Sequence, residues 1–109
     1  MELSSSTAEI RDICEQRGEA AAKLGYAAAT ELARVLADIE ASENFAEFQT
    51  MFGHQLCDRG AAEKCFQMKA GYSIVFRSGH PRNLGTTPTA TNWPKTTRLM
   101  ITAIEATDA

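Results

Sequence analysis

The chain has 109 residues, 44% of them apolar, and a formal charge of −3. That size admits one domain, residues 1–109, with a hydrophobic core that needs no disulfide or metal staple, and it excludes a second domain. The charge is unevenly spread: seven of the eleven basic residues (Arg59, Lys64, Lys69, Arg77, Arg82, Lys95, Arg98) share one stretch with a single acid, Glu63, for a local net of +6, whereas residues 1–58 sum to −7.

A local cationic field attracts phosphate backbones or acidic protein tails even when the whole molecule is mildly acidic. The alternative reading is that these cations guard exposed strand edges against aggregation. Cys14, Cys57 and Cys65 form neither an even set nor a C-x-x-C pair. They read as reduced thiols, mostly buried small hydrophobes, in a cytosolic protein. The opening Met-Glu-Leu-Ser-Ser-Ser lacks the basic and apolar regions of a signal peptide, and no apolar run approaches the roughly 20 residues of a membrane span. A soluble, cytoplasmic protein without a membrane segment is expected.

Leu3 fits a short first strand. Ser6-Thr7-Ala8-Glu9 matches a capping box, and Ile10, Ile13 and Cys14 recur at helical spacing, which predicts a first helix from about Thr7 to Gln16. Gly18 marks a break, after which Leu24, Ala28, Leu32, Val35, Leu36 and Ile39 line one face of a helix over Glu19–Glu40, with an interruption at Gly25. Ser42 is positioned to cap a further turn or two with Phe45, Phe48 and Phe52 inward, and Gly53 closes the helical half.

From there the period becomes two. Phe66 and Met68, then Tyr72, Ile74 and Phe76, alternate with polar residues around Ala70-Gly71, the pattern of a β-hairpin. Residues 79–95, rich in Pro, Gly and Thr, predict a long loop. The final strand, from about Thr97 to Ala106, is apolar on both faces and reads as central and covered on both sides. The predicted class is α+β, with an N-terminal strand and a helical hairpin packed on a small antiparallel sheet. Leu32, Leu36, Ile74, Phe76 and Ile101 are its predicted core.

No motif with a specific mechanism occurs: there is no phosphate-cradling glycine loop, no His-x-x-x-His and no nucleophile elbow. His54, Cys57, Asp58 and Cys65 are metal-capable, but their spacing matches no zinc pattern, so neither metal nor cofactor is expected. His80 stands between Arg77 and Arg82 at a strand end. A neutral imidazole among cations can accept a proton, or it can simply start the turn before Pro81. Trp93 offers a stacking surface for a base, or it pins its own loop onto the core. Lys64, Lys69, Arg77, Arg82 and Lys95 are the candidate phosphate contacts.

Several phrases carry a resemblance: Leu36-Ala37-Asp38-Ile39-Glu40-Ala41-Ser42-Glu43-Asn44, Tyr72-Ser73-Ile74-Val75-Phe76, and Asn92-Trp93-Pro94-Lys95 leading into Arg98-Leu99-Met100-Ile101-Thr102-Ala103-Ile104-Glu105. In this order, with the helical hairpin between strands, the chain resembles the HigB-like killer-protein branch of the RelE/ParE toxin superfamily over nearly its whole length. The resemblance implies the toxin component of a type II toxin–antitoxin pair, a metal-free endonuclease that cuts mRNA on the ribosome, with a cognate antitoxin as partner. Arg77, His80 and Arg98 are then the catalytic candidates.

Two departures stand out. Ser73 occupies a position where the family often carries Arg, and Glu105-Ala106-Thr107-Asp108 stands where the family often ends in Val-Asp-Tyr-His. Both positions are among those linked to catalysis, so a cation and the proton carriers are missing. Arg77, His80, Arg82 and Arg98 are the residues available to substitute. Two other functions fit the same resemblance: a catalytically degenerate binding module, and the gyrase inhibition of the ParE branch. A homodimer hiding the same face is the alternative to an antitoxin partner.

Overall fold

Thr7 opens the first helix. In the computed structural model, which describes residues 1–60, 62–79 and 93–107, its hydroxyl accepts the Ile10 amide at 3.2 Å ahead of α1 (Ala8–Glu15). The cap is thus Thr7, one residue later than the capping-box pattern suggests. The break falls at Gln16, whose backbone is extended, and Gly18 lies inside the first turn of α2 (Arg17–Leu24). Gly25 follows with φ +90°, a conformation that side chains disfavour, and lets the chain turn back into α3 (Tyr26–Ala41). Small side chains then allow close approach: Ala20 of α2 is buried with Ala28 and Ala29 of α3, and Arg17 donates to the Thr30 hydroxyl at 2.9 Å across the turn.

Ser42 ends α3 and does not cap the next helix: it is buried, with its hydroxyl donating to the Asp38 carbonyl at 2.9 Å. The cap of α4 (Phe45–Phe52) is Asn44, which accepts the Glu47 amide at 2.9 Å. Both residues belong to the cap-forming class, so spacing alone did not separate them.

The described residues also form a five-stranded sheet in the order β1-β5-β4-β3-β2, comprising β1 (Glu2–Ser5), β2 (Leu56–Asp58), β3 (Glu63–Gln67), β4 (Tyr72–Ser78) and β5 (Arg98–Ala106). The α+β class is as expected, but the sheet is mixed: β1 runs parallel to β5, while the other pairings are antiparallel. The β3–β4 hairpin turns at Gly71, φ +91°. As expected, β5 is central, between β1 and β4, but it is not covered on both sides, since Met100 and Ala103 on the face away from the helices are only half-buried. A bulge between Val75 and Phe76 leaves Thr102 unopposed. Strand β2 is an edge strand that the sequence reading did not contain, because three residues show too little alternation.

One face of the sheet holds the helices. Phe66, Ile74, Phe76, Leu99 and Ile101 cluster with Leu32, Val35, Leu36 and Ile39 of α3 and with Phe45 and Phe48 of α4. All five predicted core residues are buried. Among the described residues, no helix is long and apolar enough to cross a membrane. Glu31 is buried within α3 because its carboxylate accepts two amides of the β3–β4 turn, Lys69 and Ala70, each at 2.8 Å. The free thiol of Cys14, between α1 and β1, is pushed up to about 11 by burial, although a hydrogen bond with Ser5 pulls the other way. It therefore stays protonated, and inert, near neutral pH.

Candidate functional site on the open face of the sheet

Strand alternation sends the neighbours of the core residues to the opposite face. The ladder registers line them up in rows: Glu63, Arg77 and Met100; then Cys57, Cys65, Val75 and Ala103; then Gln67, Ser73 and Glu105. Cys65, Ser73 and Val75 are buried yet stand apart from the core cluster that holds the helices. This face, opposite the helices and here termed open, carries the ion pairs and the cleft that follow.

Its electrostatics differ from the sequence count. Arg98 Nε pairs with Glu2 Oε2 at 3.1 Å, because parallel pairing sets β1 beside β5. Arg59 Nη1 pairs with Glu105 Oε2 at 3.2 Å, and Lys64 pairs with Asp58. Three of the cations that make up the +6 run therefore meet acids that lie outside it in the chain. On the open face Arg59, Arg77 and Arg98 stand against Glu2, Glu63 and Glu105, so the field there is near balance and not broadly cationic. Exposed pairs of this kind are individually weak and exchange readily.

The Arg59–Glu105 pair is unusual in its reach. Arg59 follows β2 at one edge and Glu105 lies on β5, so the pair spans the two intervening strands β3 and β4. Beside it is a cleft of about 420 Å³ lined by Arg59, Gln67, Ser73, Glu105 and Thr107, with Cys57 and Cys65 also on its wall. Inside, the Ser73 hydroxyl donates to Gln67 Oε1 at 2.9 Å, and among the described residues Gln67 Nε2 meets only sulfur acceptors, Cys57 Sγ at 3.5 Å and Cys65 Sγ at 3.7 Å. Sulfur is a weak acceptor, so that amide is free to serve a better one. The cleft lies next to Ser73 and the end of β5, and Arg59 brings a guanidinium to it from elsewhere in the chain.

The predicted site residues are only partly brought together. Arg77 is exposed on the open face opposite Met100, and Arg98 lies one row further, where the Gly79 amide donates to the Arg98 carbonyl at 2.8 Å. That register makes the two arginines diagonal neighbours. His80 and Arg82 lie outside the described residues. The structure does not bring Lys64 to this face: it shares the helix side with Phe66, and its ammonium lies 5.4 Å from the Trp93 ring centre and 5.9 Å from that of Phe45. Lys69 is exposed in the β3–β4 turn and Lys95 in a short 3-10 helix, Trp93–Lys95. Trp93 is used inward, 5.0 Å from Phe45 and 6.1 Å from Phe76, as the loop-pinning reading has it.

The cysteine reading needs a correction. Cys57 and Cys65 face each other in the β2–β3 ladder, with Cα atoms 5.2 Å apart, and are joined as a disulfide. Only recognition of β2 reveals that residues eight apart in sequence are cross-strand neighbours. Their pairing also removes both from any metal-ligand set.

Comparison with protein-family models, with curated proteins and with solved structures finds no match. The functional reading accordingly rests on the geometry above and on the resemblance of the short phrases.

Proposed function

We propose that this chain is the toxin component of a two-gene toxin–antitoxin pair and acts as an endoribonuclease on ribosome-bound mRNA through the open face of its sheet. The observation that carries the reading is the placement of three arginines on that face: Arg77 and Arg98 as diagonal neighbours, and Arg59 reaching over the central strands. In-line attack of a ribose 2′-hydroxyl on phosphorus closes a 2′,3′-cyclic phosphate and breaks the bond to the 5′-oxygen of the next nucleotide. Guanidinium groups stabilise the extra negative charge, and water takes the 2′-proton and returns one to the leaving 5′-oxygen. Such action requires the cytoplasm, and the Cys57–Cys65 disulfide runs against that placement, because disulfides are rare in cytosolic proteins. A small partner with an acidic tail would neutralise these arginines and add a strand at the β2 edge.

A second reading, a binding module without chemistry, draws support from Ser73 and from the near-balanced charge of the face. Inducible expression in a sensitive bacterium separates the two. Growth arrest with mRNA newly cut within translated regions is expected. Unchanged growth with intact mRNA would overturn the ribonuclease reading, and arrest with intact mRNA but damaged DNA would favour gyrase as the target.

A further inference from the structure

We propose that the Arg59–Glu105 pair is a phosphate site held closed by its own carboxylate, in which Glu105 occupies the guanidinium until the phosphodiester of an RNA strand displaces it. The inference rests on the reading of the open face as an RNA-binding surface, and it names where the strand is gripped. The pair joins residues 46 apart in sequence across two strands, and both side chains are about half exposed, so the exchange needs no rearrangement of the backbone. A carboxylate and a phosphate present the same paired-oxygen edge to a guanidinium, which binds either in the same fork.

The surrounding cleft favours the larger ligand. Glu105 meets the guanidinium through one oxygen, at 3.2 Å, a single contact that an anion with more oxygens can exceed. Here Gln67 Nε2, which among the described residues meets only sulfur, lines the same 420 Å³ cleft together with the hydroxyl of Thr107, while the Ser73 hydroxyl, already donated to Gln67 Oε1, holds that amide in place. Those donors match the further oxygens of a phosphodiester and its ribose. The cleft falls within the range of sites that hold a nucleotide-sized ligand. Glu105 thus acts as an internal competitor, and RNA engages Arg59 only by displacing it.

The test uses opposite signs. Binding of a fluorescently labelled single-stranded RNA decamer is measured by polarisation at fixed salt for the wild-type chain, Arg59→Gln, Glu105→Gln and the double variant, with a thermal melt to confirm that each is folded. Arg59→Gln is expected to weaken binding about three- to tenfold, the loss of one phosphate contact, and to lower the salt slope by about 0.7. Glu105→Gln is expected to tighten binding about two- to fivefold, since the exposed pair it removes is of modest strength. The double variant should be as weak as Arg59→Gln. Glu40→Gln, the same charge change on the helical side, should leave affinity within about twofold, which separates the exchange from a general effect of net charge.

If the wild type binds RNA but Glu105→Gln leaves affinity unchanged or weakens it, the pair is a structural strap and the inference fails while the RNA reading stands. If neither the wild type nor Glu105→Gln binds, both fail. Binding by Glu105→Gln alone would establish the closed site even without wild-type affinity. Should Glu105→Gln gain affinity for a labelled acidic peptide and not for RNA, the occupant is a protein carboxylate and the RNA assignment is overturned.

Discussion

Phe45→Ala is expected to destabilise the fold by about 3–5 kcal/mol, the usual range for removing a buried aromatic ring and a large share of the 5–15 kcal/mol typical of a domain. Phe45 is fully buried at the start of α4, with ring centres of Trp93 at 5.0 Å, Phe76 at 5.9 Å and Phe48 at 6.2 Å. Its amide donates to the Thr96 carbonyl at 2.9 Å, so the residue ties α4 to the stretch that leads into β5. Alanine would leave a cavity beneath the ammonium of Lys64 and loosen Trp93 together with it. Urea unfolding monitored by tryptophan fluorescence measures the loss as a shift in midpoint at unchanged slope. A loss under about 1 kcal/mol would mean that α4 does not pack on the sheet as described.

Glu31→Ala is the second large expected effect, at about 1–3 kcal/mol. Two amides of the β3–β4 turn lose their acceptor at once, and partial access of water to the exposed turn residues limits the cost. The loss should be local. Hydrogen exchange at Lys69 and Ala70 is expected to accelerate more than exchange in the centre of β4, because the carboxylate is what clamps this turn to α3. Uniform acceleration across the sheet would show instead that Glu31 supports the whole core.

Periodicity made the frame legible. The stripe of Ala28, Leu32, Val35, Leu36 and Ile39 on α3 and the alternation through Ile74 and Phe76 bury the residues that the pattern names, with Tyr72 at the strand end partly buried, because one face of each element packs on the core. Glu31 sits inside that stripe and looks like an interruption. Only the position of the β3–β4 turn shows why a carboxylate belongs there. The same limit governs the site. Arg77 and Arg98 could be placed on strands, but that parallel pairing with β1 sets Glu2 beside Arg98 is a matter of sheet order. That Arg59 reaches Glu105 over two strands is likewise invisible to any count along the chain. Charge summed over a segment is not charge summed over a surface, and here folding brings acids from both ends of the chain to the basic stretch. The disulfide escaped for a related reason: β2 is too short to announce itself, and without it Cys57 has no partner across the ladder.

The most direct test of the open face as the working surface is amide chemical-shift mapping of the labelled protein with a short 2′-O-methyl RNA, which can bind but cannot be cut at its own 2′-oxygen. The largest shifts are expected at Gln67, Ser73, Val75, Arg77, Met100 and Ala103, which share that face in the ladder, and they should fade as salt rises from about 50 to 200 mM. Shifts concentrated instead on the exposed helical residues Ala22, Ala33 and Ala37, with the sheet unmoved, would contradict it.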